Sequence, residues 1–357
     1  MDPQVTAAII AAGISGLTLV GTLAAQYLSY RATSKDAEKT AREQNQQLDR
    51  TLVEQREHLD RTLDAQNRQL DRTLDEQRTR TWNERFATAA EQLGDDKPPA
   101  VRLAGVYAIA GLADDWEANR QTCVDVLCAY LRMPYAPDPK RDRSTPEQLA
   151  FQSSREVRHT VIRVIAAHLK DSAMVSWQGL NFDFTGVVFD GGSFSNAKFS
   201  GGTVSFQYAK FSGGKVGFEK ATFSGSAVDF SNAEFSGGTV RFWSAKFSGG
   251  EVNFFNVKFS GGEVSFIGAE FSGSTVRFWS TEFSGGEVNF HSTKFSGGDV
   301  SFIAEFSGSK VSFFGAKFPG GTVDFSGVID WSFPPEFPWT DISPSGVKLP
   351  SAGEKAN

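Results

Sequence analysis

The chain has 357 residues, 36 basic and 42 acidic, for a formal net charge of −6. That balance excludes a basic nucleic-acid-binding surface of the usual kind, and two cysteines exclude a disulfide scaffold and fit a reducing compartment. Composition is uneven: 29 of the 32 Phe and 26 of the 35 Gly fall between Phe182 and Phe333, which excludes a single uniformly packed globule.

Residues 1–30 carry no charge between Asp2 and Arg31, and Val5 to Leu28 is dominated by Ala, Ile, Leu, Val and Gly. About 20 apolar residues cross a bilayer core of roughly 30 Å, so the segment predicts a transmembrane anchor. A cleaved signal peptide would need a positive n-region, and Asp2 is the sole charge before the apolar run. Arg31, Lys35, Lys39 and Arg42 follow. The positive-inside bias then places the N-terminus outside the cell membrane and the bulk of the chain in the cytoplasm, as a single-pass protein.

Residues 31–81 are charged and repetitive. The core LDRTL recurs in Gln47 to Leu52, His58 to Leu63 and Gln69 to Leu74, at an 11-residue period. Ala37/Ala41, Leu48/Leu52, Leu59/Leu63 and Leu70/Leu74 form one stripe. A repeat of this length closes after three helical turns, which keeps the stripe straight or slightly right-handed. One long helical stalk is expected, with i,i+4 charge pairs such as Glu57/Arg61. Thr and Gln beside the stripe thin it, leaving a solvated spacer as the bland reading and a parallel homo-oligomeric coiled coil as the sharper one.

Residues 82–175 read as a small all-α module. Trp82 and Phe86 break the stalk register, Gly94 to Pro99 is a stop and restart, and apolar spacing predicts helices over Val101 to Leu112, Thr122 to Leu131 and Val157 to Leu169. The segments opening Val101-Arg102 and Val157-Arg158 echo each other weakly, in the manner of HEAT hairpins. Cys123 and Cys128 sit roughly 140° apart on a helix, wrong for a shared metal and right for two buried thiols. His58, His159, His168 and His291 have no partner at ligand or triad spacing, and the acidic pairs Asp95-Asp96 and Asp114-Asp115 read as solvated helix ends. No phosphate loop, dinucleotide fingerprint, nucleophile elbow or zinc motif occurs. No catalytic, cofactor-binding or metal-ligating residue is expected.

Residues 176–333 are a second repeat. Phe206, Phe218, Phe230 and onward to Phe302 are 12 apart, as are Phe199, Phe211, Phe223 and onward to Phe295, in a unit A-x-F-S-G-G-x-V-x-F-x-x. Val precedes each Phe of the first series by two residues; Ala precedes most of the second, with Val257, Thr281 and Thr293 as exceptions. An i−2/i pair points to one face of an extended segment, so each unit supplies two inward rungs, and Gly-Gly serves the bends between them. Spacings alternate between five and seven, one residue is missing between Phe302 and Phe306, and Phe184, Phe189, Phe194 and Phe199 are uniformly five apart.

Five-residue spacing with a small residue two before a large apolar one, as in Asn196 to Ser200 and Ser231 to Phe235, resembles the pentapeptide-repeat family. The resemblance covers about Trp177 to Trp331 and implies a right-handed quadrilateral β-helix. The seven-residue spacings depart from the family pattern. They give either a four-sided coil two sequence units long with two widened corners, the favoured geometry, or a two-sided coil of a single unit. The helical stretch Glu84 to Pro134 also resembles the module preceding such repeats in bacterial membrane-anchored proteins. Caps are expected from the helix ending near Lys170 with Trp177, and from Trp331 to Trp339; residues 334–357 read as cap and loose tail. The family resemblance implies no enzyme activity. The expected function is a membrane-anchored scaffold presenting the solenoid to a cytoplasmic protein. The alternatives are a DNA mimic binding a type II topoisomerase and a cryptic enzyme in the helical module. Fourteen acidic against eleven basic residues from Phe182 to Phe333 make a weakly charged rod, which speaks against the mimic.

Overall fold

A computed structural model describes residues 3–94, 96–135, 138, 145–340 and 342–351. The chain divides into two compact units, Met1–Arg80 and Thr81–Asn357.

Helix α1 spans Pro3–Gln92 and supplies the described residues of the first unit. The expected transmembrane anchor is not upheld: among the described residues, no helix is long and apolar enough to cross a membrane. Thr18, Thr22, Gln26 and Ser29 dilute the apolar run. The Thr22 hydroxyl donates back to the carbonyls of Thr18 and Leu19, both at 2.9 Å, and the helix continues into the charged repeat. Met1 and Asp2, and the side chains of Pro3, Val5, residues 8–12, Ile14 and Ser15, lie outside the described residues. Within the repeat, Arg42–Glu38 and Arg61–Glu57 pair at 3.0 Å, each worth a few tenths of a kcal/mol on an exposed helix.

In the second unit the end of α1 packs on α2 (Pro99–Asp115), followed by α3 (Arg120–Arg132) and α4 (Pro146–His168). Pro99 opens α2, where its missing N–H costs nothing, and the Thr145 hydroxyl caps α4 by accepting from the Gln148 N–H. Gly105 lets α2 approach α1 closely: a Cβ there would lie 3.1 Å from the Ala89 carbonyl oxygen. Ile109, Leu112, Cys123, Val124, Leu127, Val161 and Ile165 are buried and join one continuous core with the Phe repeat. Cys123 and Cys128 are buried free thiols, and burial pushes them up to about 11 and about 12.

From Phe182 the chain is a β-solenoid whose coil is two sequence units long. Parallel pairing aligns Phe199 with Phe223, Phe223 with Phe247 and Phe247 with Phe271. Val204, Val228, Val252 and Val276 likewise stand in register. That register excludes the two-sided coil of a single unit. Each coil gives four inward Phe, so the rings stand in four columns. One runs from Phe184 through Phe206, Phe230, Phe254, Phe278 and Phe302 to Phe325, with near-parallel rings 4.4 to 5.1 Å apart. Offset stacking at this spacing adds to the area term of each buried ring. The Ala and Val two residues earlier point inward as the i−2/i rule requires. Thr281 and Thr293 occupy the Ala column because their hydroxyls donate to the carbonyls of Phe254 and Phe266 on the coil below, at 2.7 and 2.8 Å.

The two spacings are two kinds of corner. At the shorter spacing the chain makes a tight turn, in which the Ala197 N–H donates to the Phe194 carbonyl at 3.0 Å and Asn196 takes φ 61°. The same bond recurs from Ala209 to Phe206 and from Ala221 to Phe218, and such a turn requires a left-handed third residue. At the longer spacing the second Gly of Gly-Gly is left-handed and crowded: at Gly262 (φ 72°) a Cβ would lie 2.5 Å from the Gly238 carbonyl oxygen. The missing residue falls in a tight turn, where Trp279 pairs with Ile303 and Thr281 with Ala304, skipping Ser280.

Both ends are covered. Leu169 accepts the Lys198 N–H at 2.8 Å, Trp177 is fully buried, and Ile162 of α4 lies over Gly192, where a Cβ would meet its Cδ1 at 2.9 Å. At the other end Phe337 stacks on Phe313 at 5.4 Å and Trp339 stands edge-on to Phe318 at 5.4 Å. Beyond Trp339, where the sequence alone reads a loose tail, Val347–Lys348 adds a further rung on Val323 and Asp324. Residues 352–357 lie outside the described residues.

Candidate interaction edges and the polar junction

The residue after each first-series Phe is the second residue of a tight turn and faces outward. In the early coils it is Gln207 and Glu219, with Ser195 at the equivalent place after Phe194 and Ser231 covered by its neighbours at 7 % exposure. Further along it is Trp243, Phe255, Ile267, Trp279, His291, Ile303 and Phe314. A sequence unit is half of a coil, so alternate members fall on diagonally opposite edges. Backbone bonds from Ser244 to Ile267, Gly268 to His291 and Ser292 to Phe314 place Trp243, Ile267, His291 and Phe314 on successive levels of one edge. The Asn256 bond to Trp279 and the Trp279–Ile303 pairing place Phe255, Trp279 and Ile303 on the other.

These side chains remain open to solvent: Trp243 is 37 % exposed, Trp279 39 %, Phe255 44 % and Phe314 62 %. Both tryptophans are held in place. The Trp243 indole N–H donates to Ser265 Oγ at 2.8 Å and the Trp279 indole N–H to Ser301 Oγ at 3.1 Å, each one coil on. Arg241 lies over the Trp243 ring at 4.5 Å and Arg277 over Trp279 at 5.3 Å. Rigid aromatics flanked by Arg are the residue types that anchor protein interfaces. On the flat sides the charges alternate by level, as in the paired Lys210, Glu234, Lys258 and Glu282. Lys294–Glu270 at 3.1 Å and Lys348–Asp324 at 3.3 Å are such cross-coil ion pairs, individually of small worth at this exposure.

A second cluster joins α4 to the first coils. Arg155, Arg158 and His159 are i, i+3 and i+4, one helix face; Arg155 and His159 meet Asp190, and Arg158 donates to the Val188 carbonyl at 3.1 Å. The Asp190 carboxylate accepts from Tyr135 Oη at 2.8 Å, Arg155 Nε at 3.0 Å and His159 Nε2 at 3.0 Å. Burial pushes the Asp190 carboxyl up, but the hydrogen bonds from His159 and Tyr135, with the charges of His159 and Arg155, outweigh it and hold it below the usual carboxylate range. Tyr135 is raised by burial and by Asp190, and burial lowers Arg158, which stacks on the Tyr135 ring at 4.2 Å. Beside it lies a cleft of about 430 Å³ lined by His159, Arg163, Ser193, Ser195, Lys215 and Glu219. Burial raises Glu219, and the Ser195 hydroxyl at 2.6 Å and the Lys215 ammonium at 3.4 Å outweigh that and hold it low. Each charged group of this cleft has a partner, Lys215 in Glu219, Arg163 in Glu156 at 3.1 Å and His159 in Asp190 at 3.0 Å, and of these the His159–Asp190 contact joins helix to solenoid.

His159 and His168 therefore both have carboxylate partners that no local spacing reveals. His168 Nε2 is 3.2 Å from Asp114 Oδ2, its ring stacks on Trp177 at 4.0 Å, and the Trp177 indole donates to Asp114 Oδ1 at 3.0 Å. Asp114, read from sequence as a solvated helix end, is the centre of this contact. Asp95, of the other acidic pair, lies outside the described residues. Among the described residues no group of three or more His, Cys, Asp and Glu stands close enough to hold a metal ion. No family model, curated protein or solved structure matches the chain. The assignment of the repeat rests on its own geometry, a β-solenoid of regularly spaced Phe columns consistent with a pentapeptide-repeat fold, and the membrane-anchored branch of that resemblance has no support.

Proposed function

We propose that the chain is a non-enzymatic interaction scaffold whose solenoid offers its apolar turn edges to a protein partner. The observation that supports this most directly is the run of outward residues from Trp243 to Phe314. Turn positions that are polar in the early coils become aromatic or aliphatic over successive levels, although nothing in the core requires it. Contiguous exposed apolar surface costs solubility and marks interaction sites in soluble proteins. The two tryptophans are fixed by hydrogen bonds before any partner arrives, which lowers the ordering cost of association. The test is affinity capture with the full chain beside a variant carrying Trp243→Ser, Phe255→Ser, Trp279→Ser and Phe314→Ser. The expected result is an unchanged solenoid melt and loss of the captured proteins. Retention of the same proteins by the quadruple variant refutes the assignment of these edges.

A further inference from the structure

The two apolar edges differ in charge, and the difference identifies what the Trp243 edge takes; the inference rests on the reading of these edges as interaction surfaces. Along the Trp243 edge the nearest outward charges are Arg241 on one side and, on the other, Lys246, Glu270, Lys294 and Lys317, which stand in register on successive coils. Along the Phe255 edge they are Arg277 on one side and Lys258, Glu282 and Glu305 on the other. Four cations and one carboxylate border the first edge, two of each the second. Two residues further from the turn, Glu263, Glu287 and Lys310 flank the first edge and Glu251 and Asp299 the second, so the contrast in sign holds.

Pairing sharpens the contrast. On the Phe255 edge Arg277 is bonded to the Glu251 carboxylate and Lys258 pairs with Glu282 at 3.8 Å. On the Trp243 edge Lys294 takes Glu270 at 3.1 Å, and among the described residues Arg241, Lys246 and Lys317 have no carboxylate within ion-pair distance. Arg241 and Arg277 open the same four residues, Arg-Phe-Trp-Ser. The place on the coil below that holds Glu251 for Arg277 holds Lys215 for Arg241, and the buried Nε of Arg241 meets no acceptor. Cations thus stand beside an apolar row with no anion supplied for them, which is complementary to an acidic and apolar surface.

Spacing along the row gives the form of that surface. Trp243, Ile267, His291 and Phe314 occupy successive levels, about 4.8 Å apart. A helix presents a residue on one face about every 5.4 Å, which drifts by about 2 Å over these levels. A strand presents one about every 6.6 Å and drifts by about 5 Å. A lipid surface of uniform negative charge fits worse, because the row is one residue wide and Glu270 lies between Lys246 and Lys294. We propose that the Trp243 edge receives an amphipathic helix of a partner protein, with apolar residues on the row and Asp or Glu against Arg241, Lys246 and Lys317.

The probe is a fluorescein-labelled peptide with Leu in a helical stripe and Glu on both flanks, about 18 residues and so about 27 Å long as a helix, titrated onto the full-length chain. Saturable binding that weakens with added salt is expected, and the same peptide with Lys for Glu should bind at least about tenfold more weakly. Lys246→Glu with Lys317→Glu is expected to weaken the Glu peptide at least about tenfold and to gain the Lys peptide, with the solenoid melt unchanged. No saturable binding of the Glu peptide, equal binding of the two peptides, or equal binding of a Glu peptide broken by a central Pro overturns the proposal. Sedimentation of the chain with phosphatidylserine vesicles in place of peptide binding overturns it as well. Failure of the edge reading itself is distinct, since the quadruple serine variant then keeps its captured proteins. Capture lost in that variant but indifferent to the Lys246 and Lys317 charge reversal sinks the acidic helix alone.

Discussion

Phe283 and Phe306 stack at 4.7 Å with an interplanar angle of 1°, although their separation along the chain is one shorter than that of the stacked pairs that lead from Phe211 through Phe235 and Phe259 to Phe283. The missing residue has been taken from the tight turn between Ile303 and Ala304, so the rungs on either side keep their level and their inward Phe. Inserting one Ser between Ile303 and Ala304 should restore the full turn and change stability by less than about 1 kcal/mol. The same insertion between Val300 and Phe302 reverses the in–out alternation and should cost more than about 3 kcal/mol, by the cavity it leaves. Thermal unfolding of the two variants followed by far-ultraviolet circular dichroism separates the cases, and equal losses would refute the turn as the absorbing site.

Phe254 and Phe255 are neighbours with opposite environments. Phe254 is fully buried between Phe230 at 4.9 Å and Phe278 at 4.6 Å, whereas Phe255 is on an exposed edge. Phe254→Ala should cost about 3–5 kcal/mol, and Phe255→Ala should stay within about 0.5 kcal/mol. Denaturant titration of the two variants checks the contrast.

Left-handed turn residues are a separate reservoir. Lys220 is an exposed, non-Gly residue at φ 57°, a region that L-residues enter at a cost. Lys220→Gly should therefore stabilise by about 0.5–1 kcal/mol, while Gly262→Ala, with its Cβ driven onto the Gly238 carbonyl, should destabilise by about 1–3 kcal/mol. Opposite shifts in melting temperature are the expected reading; shifts of the same sign would overturn the conformational argument.

Asp190 links stability to pH. Its folded pKa is depressed, so its contribution is complete above the unfolded value of about 4 and is lost as pH falls through the lower folded value. Asp190→Asn should cost about 1–3 kcal/mol at pH 7, consistent with a partly buried carboxylate bonded to charged donors. The gap between wild type and variant should narrow progressively below pH 4. A gap that is constant from pH 7 to pH 3 would show that the carboxylate charge is not what is lost.

The sequence carried the repeat because it is local. The spacings of five and seven, the Val and Ala two residues ahead of Phe, and the Gly-Gly corners are all visible within one unit. The choice between one and two units per coil needed the strand register. The joints were not visible, because Asp190 meets His159 across 31 residues and Asp114 meets Trp177 across 63. A carboxylate at the end of α2 looks the same in sequence whether it faces water or an indole from the first coil. The apolar edges did leave a signal, since the residues from Trp243 to Phe314 recur with the period of the Phe repeat. It is masked because Phe255 and Phe314 directly follow the core rings Phe254 and Phe313 and are chemically identical to them. The membrane reading rests on the absence of charge between Asp2 and Arg31, and among the described residues no helix is long and apolar enough to cross a membrane.

Because the sequence unit is half a coil, gain or loss of repeats has a parity. Duplicating a single unit upstream of Trp243 would carry every later level half a turn about the solenoid axis, so that Phe255, Trp279 and Ile303 exchange edges with Trp243, Ile267 and Phe314. The Phe columns would be filled as before, and a thermal melt would scarcely register the change. Duplicating two units would lengthen the solenoid and leave each edge facing its original direction. Repeat number can thus drift in even steps without disturbing a partner bound to one edge, whereas an odd step preserves the fold and inverts the surface it presents.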